Sequence, residues 1–567
     1  MVYIGGIRSS SRHHQSKFLP IPQFKKILLV MVIQLALVPL LLTSSVAALL
    51  VSRVTDIAPA VALACSAGIA FSIWLVWVSY IFPFYVSELR KVPTIPGFPL
   101  WGQFSTIITQ EIGVPQRDWH KKHGPIIRYF FPFGAERLSI ADDEALKQMT
   151  VKNPYNYPKP DRAKQWMVRI LGEGVLLAEG DAHVRQRKAL TPGFSIQSIR
   201  ALAPVFQRKA LLLSNLWEKA MTRENVNVKS FEVLEWLNRT TLDIIGEAGF
   251  GTDLDSLEHP ETPIREAYRL VFAFDISSRV LHGLAAFIPL TKYLPAKMNR
   301  DMLASRNIIL SKATEIIKEK QTVTHSKDKD IIALIVRDNM KTTSASGDKL
   351  SFETMRDQVM TFLGAGHDTT ATGVAWTLHL LSTHPEIQQK LRDEVKQHMP
   401  ALFSPATRHD PAILATMDPD HLPYLDNICR ESLRYIPPIP MTVRQSLADD
   451  TLGGYLVPAG TTVYVHANAI HRLPAFWGDN ADVFDPDRWN DLGDKWSANA
   501  FMTFLQGPRG CIGRKFAETE MKWLLVCLVS MFSFERDEES VDPESQKMWR
   551  LVLRPRDGIV MRATRLE

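Results

Sequence analysis

Apolar residues are distributed along this chain in two different ways. Near the N-terminus they form unbroken runs. Residues 27–51 carry no charge, although Gln34 and Pro39 interrupt them, and residues 57–82 carry none and end in an aromatic cluster of Trp74, Trp77, Tyr80 and Phe82. Each run exceeds the roughly 20 apolar residues that span a bilayer. From about residue 205 to 399 the apolar positions recur with a helical period instead. Residues 231–248, 304–320 and 352–382 read as helices, separated by polar, loop-like stretches at 322–329, 341–349 and 402–411. Alternation of strand type is sparse. Residues 126–131 and 138–141 resemble an early hairpin, and residues 450–455 and 461–465 bracket a turn at Pro458-Ala459-Gly460. The pattern predicts a mainly α domain with small β-sheets over residues 93–567, preceded by two membrane segments.

Charge decides the orientation of those segments. Arg8, Arg12, Lys17, Lys25 and Lys26 lie in the tail, residues 1–26; only Arg53 and Asp56 separate the two runs, and Arg90 and Lys91 follow the second. Basic flanks stay on the cytosolic side. The expectation is a transmembrane hairpin with its short connection in the lumen and the large domain in the cytosol; one span plus an interfacial helix is the alternative. Pro93-Thr-Ile-Pro96-Gly97 then stops the helix and stiffens the connection. With 46% hydrophobic and 22% charged residues the rest is an ordinary globular mixture, and a net charge of +6 over 567 residues does not point to nucleic acid. Four cysteines without a pairing pattern suit a reducing compartment.

One cysteine stands apart. Cys511 lies in Phe504-Leu-Gln-Gly507-Pro508-Arg509-Gly510-Cys511-Ile512-Gly513, before a helical stretch over residues 514–529. Glycines let backbone N–H groups approach sulfur, and a helix N-terminus and nearby cations favour a thiolate. A single cysteine without partners at metal spacing argues against zinc. It suits a metal whose other ligands belong to a cofactor, as when one thiolate holds haem iron.

The loop matches F-x-x-G-x-R-x-C-x-G at every fixed position, and the chain resembles the cytochrome P450 monooxygenases of microsomal type, in the style of fungal members of specialised metabolism. The resemblance covers about residues 93–566. It implies the P450 fold and a haem b cofactor with Cys511 as proximal ligand, Phe504 packed near the haem and Arg509 beside a propionate. Phe362-Leu-Gly364-Ala365-Gly366-His367-Asp368-Thr369-Thr370 fits the family's A-G-x-D-T-T. Two glycines and Asp-Thr-Thr inside a helical pattern suggest a local opening of that helix. The resemblance implies that Ala365 and Gly366 leave room for dioxygen, that Thr369 hydrogen-bonds the reacting oxygen and that Asp368 relays protons. Glu431-Ser-Leu-Arg434 matches E-x-x-R, and with Arg488 it implies a buried charge network bracing the haem loop. Arg444 would contact a propionate. Arg187 occupies the arginine of the family's W-x-x-x-R helix, but the tryptophan position holds His183. An imidazole N–H can donate as an indole N–H does.

The implied activity inserts one atom of O2 into an apolar organic substrate in secondary-metabolite biosynthesis. Electrons would come from NADPH through NADPH-cytochrome P450 reductase, since no flavin or nucleotide motif is present. Membrane lipid is the other partner, and the endoplasmic reticulum membrane the location. Residues 167–175, 362–365 and 439–443 would line the substrate pocket. A haem-thiolate isomerase or dehydratase, or an inactive haem-binding membrane protein, remains an alternative at this stage. The intact Asp368-Thr369 pair and the intact Cys511, Glu431 and Arg434 weigh against both.

Overall fold

The computed structural model describes residues 57–98, 100–272, 297–323, 328–341, 349–493, 496–549 and 551–566, with scattered positions between 43 and 53. The tail and most of the first apolar run lie outside the described residues. Among the described residues one helix is long and apolar enough to span a membrane, Pro59–Val86, with a mean hydropathy of 2.1. It begins as α1 (Pro59–Val76) and continues as the π-helical stretch Trp77–Val86, which contains Pro83. The last carbonyls of a helix, Pro83 O among them here, have no N–H ahead of them within it and take other donors.

One of those donors joins this helix to the body. Arg128, on β1 (Ile126–Phe131), donates from Nη1 to Pro83 O and to Glu136 Oε1, both at 2.8 Å, and from Nε to Thr94 Oγ1 at 2.9 Å. Ser87 Oγ donates to the same Glu136 carboxylate at 2.8 Å. Arg128 is buried. The proline-rich connection is not a free linker either, because Arg128 N donates to Pro93 O and Ile95 N to Arg128 O, each at 2.8 Å.

The predicted early hairpin is β1 with β2 (Ala135–Ile140), which extends into a four-stranded sheet of order β1-β2-β7-β4, with β4 at Met441–Gln445 and β7 at Thr462–His466. The expected strand over 450–455 is instead two strands, β5 (Asp450–Leu452) and β6 (Tyr455–Val457). Gly453 and Gly454 both take positive φ, 53° and 83°, and fold it into a tight hairpin. The expected helix over 231–248 loses its first residues to β3 (Val228–Glu232), where Phe231 stacks on Trp217 with centroids 4.3 Å apart. β3 pairs with β11 (Val560–Arg565), which pairs with β8 (Phe532–Arg536).

The core is helical. α2 (Gly180–Leu190) and α3 (Ala203–Glu224) precede α4 (Val233–Ile244), and α4 runs on as a π-turn over Ile245–Gly249. The long α5 (Phe352–Thr383) starts at Ser351, whose Oγ accepts from Thr354 N at 3.1 Å. From Gln358 to Leu381 all but Ala365, Gly366 and Thr369 are buried, which marks a central helix. α4, α6 (Pro423–Tyr435) and α7 (Arg514–Met531) pack around it, and α3 covers α7. A last hairpin, β9 (Lys547–Trp549) with β10 (Leu553–Pro555), lies against α5: Trp376 Nε1 donates to Leu553 O at 2.8 Å.

Candidate active site

The loop carrying Cys511 is closed by a hydrogen bond from Cys511 N to Phe504 O at 2.8 Å. Leu505 and Gly507 turn it with positive φ, 56° and 69°, and a Cβ on Gly507 would overlap the Thr150 carbonyl. Phe504 is half-buried, with the Arg514 guanidinium 5.3 Å from its ring centre. Cys511 is accessible, whereas Cys429 and Cys527 are buried. Protein atoms nonetheless crowd the Cys511 thiol, and their desolvation outweighs the Gly513 N–H and Arg187, so its pKa is raised. The Gly513 N–H and Arg187 pull in the direction the sequence argument expects. A bound metal ion would supply the missing positive charge.

A charge network holds that loop from behind. Glu431 and Arg434 are both fully buried on α6. Arg434 donates to Glu431 from Nε (2.8 Å) and Nη2 (2.7 Å), and to the carbonyls of His471 (2.6 Å), Ala481 (2.7 Å) and Val483 (2.8 Å). Glu431 also accepts from Arg488 Nε (3.0 Å), Asp485 N (2.8 Å) and Trp489 Nε1 (3.0 Å). His471 passes the fixation on. Its Nε2 accepts from Met502 N at 2.8 Å and its Nδ1 donates to Arg434 O at 3.0 Å. Thr503 Oγ1 adds a bond to Leu433 O at 2.9 Å. Sequence reading found Glu431, Arg434 and Arg488 but not the role of His471, whose partners lie 31 and 37 residues away.

Cations gather on the other side of the loop. Arg187 Nη1 donates to Gly510 O at 2.5 Å. Arg509 forms an ion pair with Glu179, donates to Pro154 O at 3.2 Å, and stands 5.0 Å over the Tyr155 ring. Arg444 is buried on β4, where it reaches the adjacent Val443 carbonyl at 3.5 Å, and burial with Arg509 nearby pulls its pKa to about 10. Burial, Arg444 and Arg509 together push the Lys159 ammonium well below its usual range, against the pull of Glu179. His183 is buried beside them, its pKa held at about 4 by burial and then by Arg509, Lys159 and Arg187. Four cations therefore surround one carboxylate, Glu179. Buried charge on this scale needs counter-charge, and the two propionates of a haem would provide it. The residues present fit that cofactor.

On α5 the two glycines have a packing reason. A Cβ on Gly364 would overlap Leu171, and one on Gly366 would meet Ile245 Cγ1 at 3.1 Å. The expected opening of the helix does not occur: α5 is continuous, and Thr369 Oγ1 donates back to Ala365 O at 2.9 Å and Thr370 Oγ1 to Gly366 O at 3.3 Å. Asp368 is buried, with one oxygen on the Arg554 guanidinium from β10 and the other without a hydrogen bond. The loop before α2 lies on this helix, where Thr361 Oγ1 donates to Leu171 O (2.8 Å) and Val175 N to Gln358 Oε1 (2.9 Å). Phe194 links the two halves of the site. Its ring is 5.2 Å from Phe362, and a Cβ on Gly513 would lie 3.8 Å from its Cε1. Glu520 on α7 went unnoticed in the sequence. It is fully buried, neither carboxylate oxygen has a hydrogen bond among the described residues, and burial raises its pKa well above the usual range.

An accessible loop cysteine beside a cation-rich wall, in a mainly helical body, has the chemistry that a haem-thiolate oxidoreductase needs. The chain belongs to the cytochrome P450 family, whose model matches residues 92–562. It is similar to cytochrome P450 monooxygenase sphH of Aspergillus fumigatus, 33% identical over 513 residues that cover 88% of this chain and 92% of that one. Cytochrome P450 monooxygenase FUM15 of Gibberella moniliformis is 32% identical over 523 residues, 82% and 86% of the two chains. Cytochrome P450 monooxygenase ALT8 of Alternaria alternata is 31% identical over 528 residues, 82% and 87%. The protein is a cytochrome P450 monooxygenase.

Proposed function

We propose that this enzyme binds haem b through Cys511 and inserts one oxygen atom into an apolar substrate in secondary-metabolite biosynthesis. NADPH-cytochrome P450 reductase would supply the electrons. The observation that carries the reading is the cation wall beside the Cys511 loop. Arg444, Arg509, Arg187 and Lys159 have one carboxylate among them, as a dianionic porphyrin edge requires.

Haem supplies the oxygen activation, and the protein supplies placement and protons. Arg444 and Arg509 hold the propionates, with His183 and Arg187 on α2. Phe504 packs beside the loop, and the network of Glu431, Arg434 and Arg488 keeps the sulfur in place through His471. Asp368 and Thr369 move protons to the reacting oxygen. Thr369 would do so by giving up its bond to Ala365 O, and Asp368 from its place beside Arg554. Residues 27–51 and 57–82 would cross the endoplasmic reticulum membrane as a hairpin with the domain in the cytosol. The apolar length of the described helix and the basic residues flanking the two runs support this topology.

The decisive experiment is the carbon-monoxide difference spectrum of the reduced protein. Wild type, Cys429→Ser and Cys527→Ser should show the red-shifted Soret band of thiolate ligation, and Cys511→Ser should lose it. A normal band in Cys511→Ser would overturn the assignment.

A further inference from the structure

Tyr155 sits on the short turn Pro154–Asn156, and its hydroxyl lies 3.0 Å from Nδ1 of His183, with the rings edge to face at 5.8 Å. The turn is pinned from outside. Asn156 Oδ1 accepts from Ala448 N (2.8 Å), its Nδ2 donates to Ala448 O (3.2 Å), and its carbonyl accepts from Leu447 N (2.8 Å). On its other side the Tyr155 ring carries the Arg509 guanidinium at 5.0 Å, and Pro154 O accepts from Arg509 Nε. Tyr155 thus bridges α2 and the Cys511 loop. Nε2 of His183 has no hydrogen bond among the described residues.

His183 stands where the family pattern has tryptophan. An indole has one N–H and offers no choice of donor. A neutral imidazole has two tautomers, and one of them presents a bare lone pair at Nε2. Beside a propionate that tautomer would repel. Burial, ahead of Arg509, Lys159 and Arg187, lowers the His183 pKa to about 4, and a neutral ring donates from Nε2 in only one of its two tautomers.

We propose that Tyr155 is a positioning residue whose hydroxyl donates to Nδ1 of His183, fixes the Nε2–H tautomer and thereby makes His183 a propionate donor in place of an indole. The proposal rests on the reading above that haem propionates occupy the cation wall. The tyrosine is a second requirement that the histidine brings with it: the hydroxyl selects the tautomer, while the ring supports Arg509.

The test is haem transfer from the full-length reconstituted holoenzyme to excess apomyoglobin, followed at the Soret band. Tyr155→Phe keeps the ring under Arg509 and removes only the hydroxyl. It should speed haem loss about 3- to 10-fold, the worth of one net hydrogen bond. In a His183→Trp background, where no tautomer needs fixing, the same change should have less than about a 1.5-fold effect. Equal acceleration in both backgrounds would make Tyr155 a packing residue and overturn the proposal, as would no acceleration by the single variant. His183→Ala with unchanged haem loss would instead remove the propionate reading itself. A second measurement needs only the single variant. The propionate bending bands in resonance Raman spectra should shift in Tyr155→Phe, and unchanged bands would also overturn the proposal.

Discussion

Replacing Arg434 by methionine tests how the thiolate loop is held. The substitution keeps the volume and removes five hydrogen bonds, two to Glu431 and three to carbonyls. Not all are lost outright. Glu431 keeps Arg488, Asp485 N and Trp489 Nε1, and Val483 O keeps Arg488 Nη2 at 3.0 Å. The carbonyls of His471 and Ala481 lose the Arg434 donor inside the protein, at roughly 1–3 kcal/mol each. Splitting a buried pair costs about 3–5 kcal/mol, and the remaining donors put this pair at the low end. The total is about 5–9 kcal/mol, against a typical domain stability of about 5–15 kcal/mol. Arg488 lies nearer the surface and Glu431 survives its loss with the Arg434 fork intact, so Arg488→Met should cost only about 1–2 kcal/mol. Arg434→Lys keeps the charge without the fork and should fall between them. The assay is loss of the thiolate-type carbon-monoxide band in urea, read at several incubation times so that slow inactivation is separated from unfolding. The expected order is Arg434→Met least stable, then Arg434→Lys, then Arg488→Met. Equal midpoints for Arg434→Met and Arg488→Met, or an Arg434→Met enzyme within about 1 kcal/mol of wild type by the linear relation, would refute the reasoning.

Three further outcomes are expected. Thr369→Ala should still bind haem and accept electrons, but its product yield per NADPH should drop at least about tenfold, with peroxide in its place; unchanged coupling would remove the relay role. His120, His466 and His471 are buried, with pKa values lowered by burial to about 4, 3 and 3. Their unfolded value is about 6.5, so below that pH the unfolded chain binds protons that the folded one refuses. Stability should fall as pH drops from about 6.5 towards 4, by about 2 kcal/mol per histidine at pH 5, and a thermal midpoint that is flat between pH 7 and 5 would contradict this. Tags at Met1 and after Glu567 should both be digested by protease outside sealed microsomes, and an N-terminal tag that survives would rule out the hairpin.

Much of the site was legible because its chemistry is local. The Cys511 loop, the Asp368-Thr369 pair and the i,i+3 pair Glu431-Arg434 are each written within a few residues. The limits of α5 also matched, since Ser351 supplies a cap just where the apolar period begins. What escaped depends on distant partners. Arg554 meets Asp368 across 186 residues and Tyr155 meets His183 across 28. Lys159 and Glu520 are unremarkable letters whose meaning comes from burial. The strand at Phe231 was hidden because only the Trp217 ring and β11 make an extended backbone preferable there. At Cys511 the loop's dipoles are likewise visible in sequence, and the desolvation that opposes them is not.

The joint at Arg128 has a mechanical consequence. A welded helix acts as a lever. At about 1.5 Å per residue the 18 α-helical residues Pro59–Val76 measure about 27 Å, and the 10 π-helical residues to Val86 carry the helix past the roughly 30 Å of a bilayer's hydrocarbon. In a membrane such a helix accommodates the excess by leaning, and leans more in a thinner one. Since Pro83 and Ser87 are bonded to Arg128 and Glu136, the catalytic body turns with it. Bilayer thickness would then set the attitude at which this enzyme meets both a lipid-borne substrate and a neighbouring electron donor, as a keel sets the list of a hull.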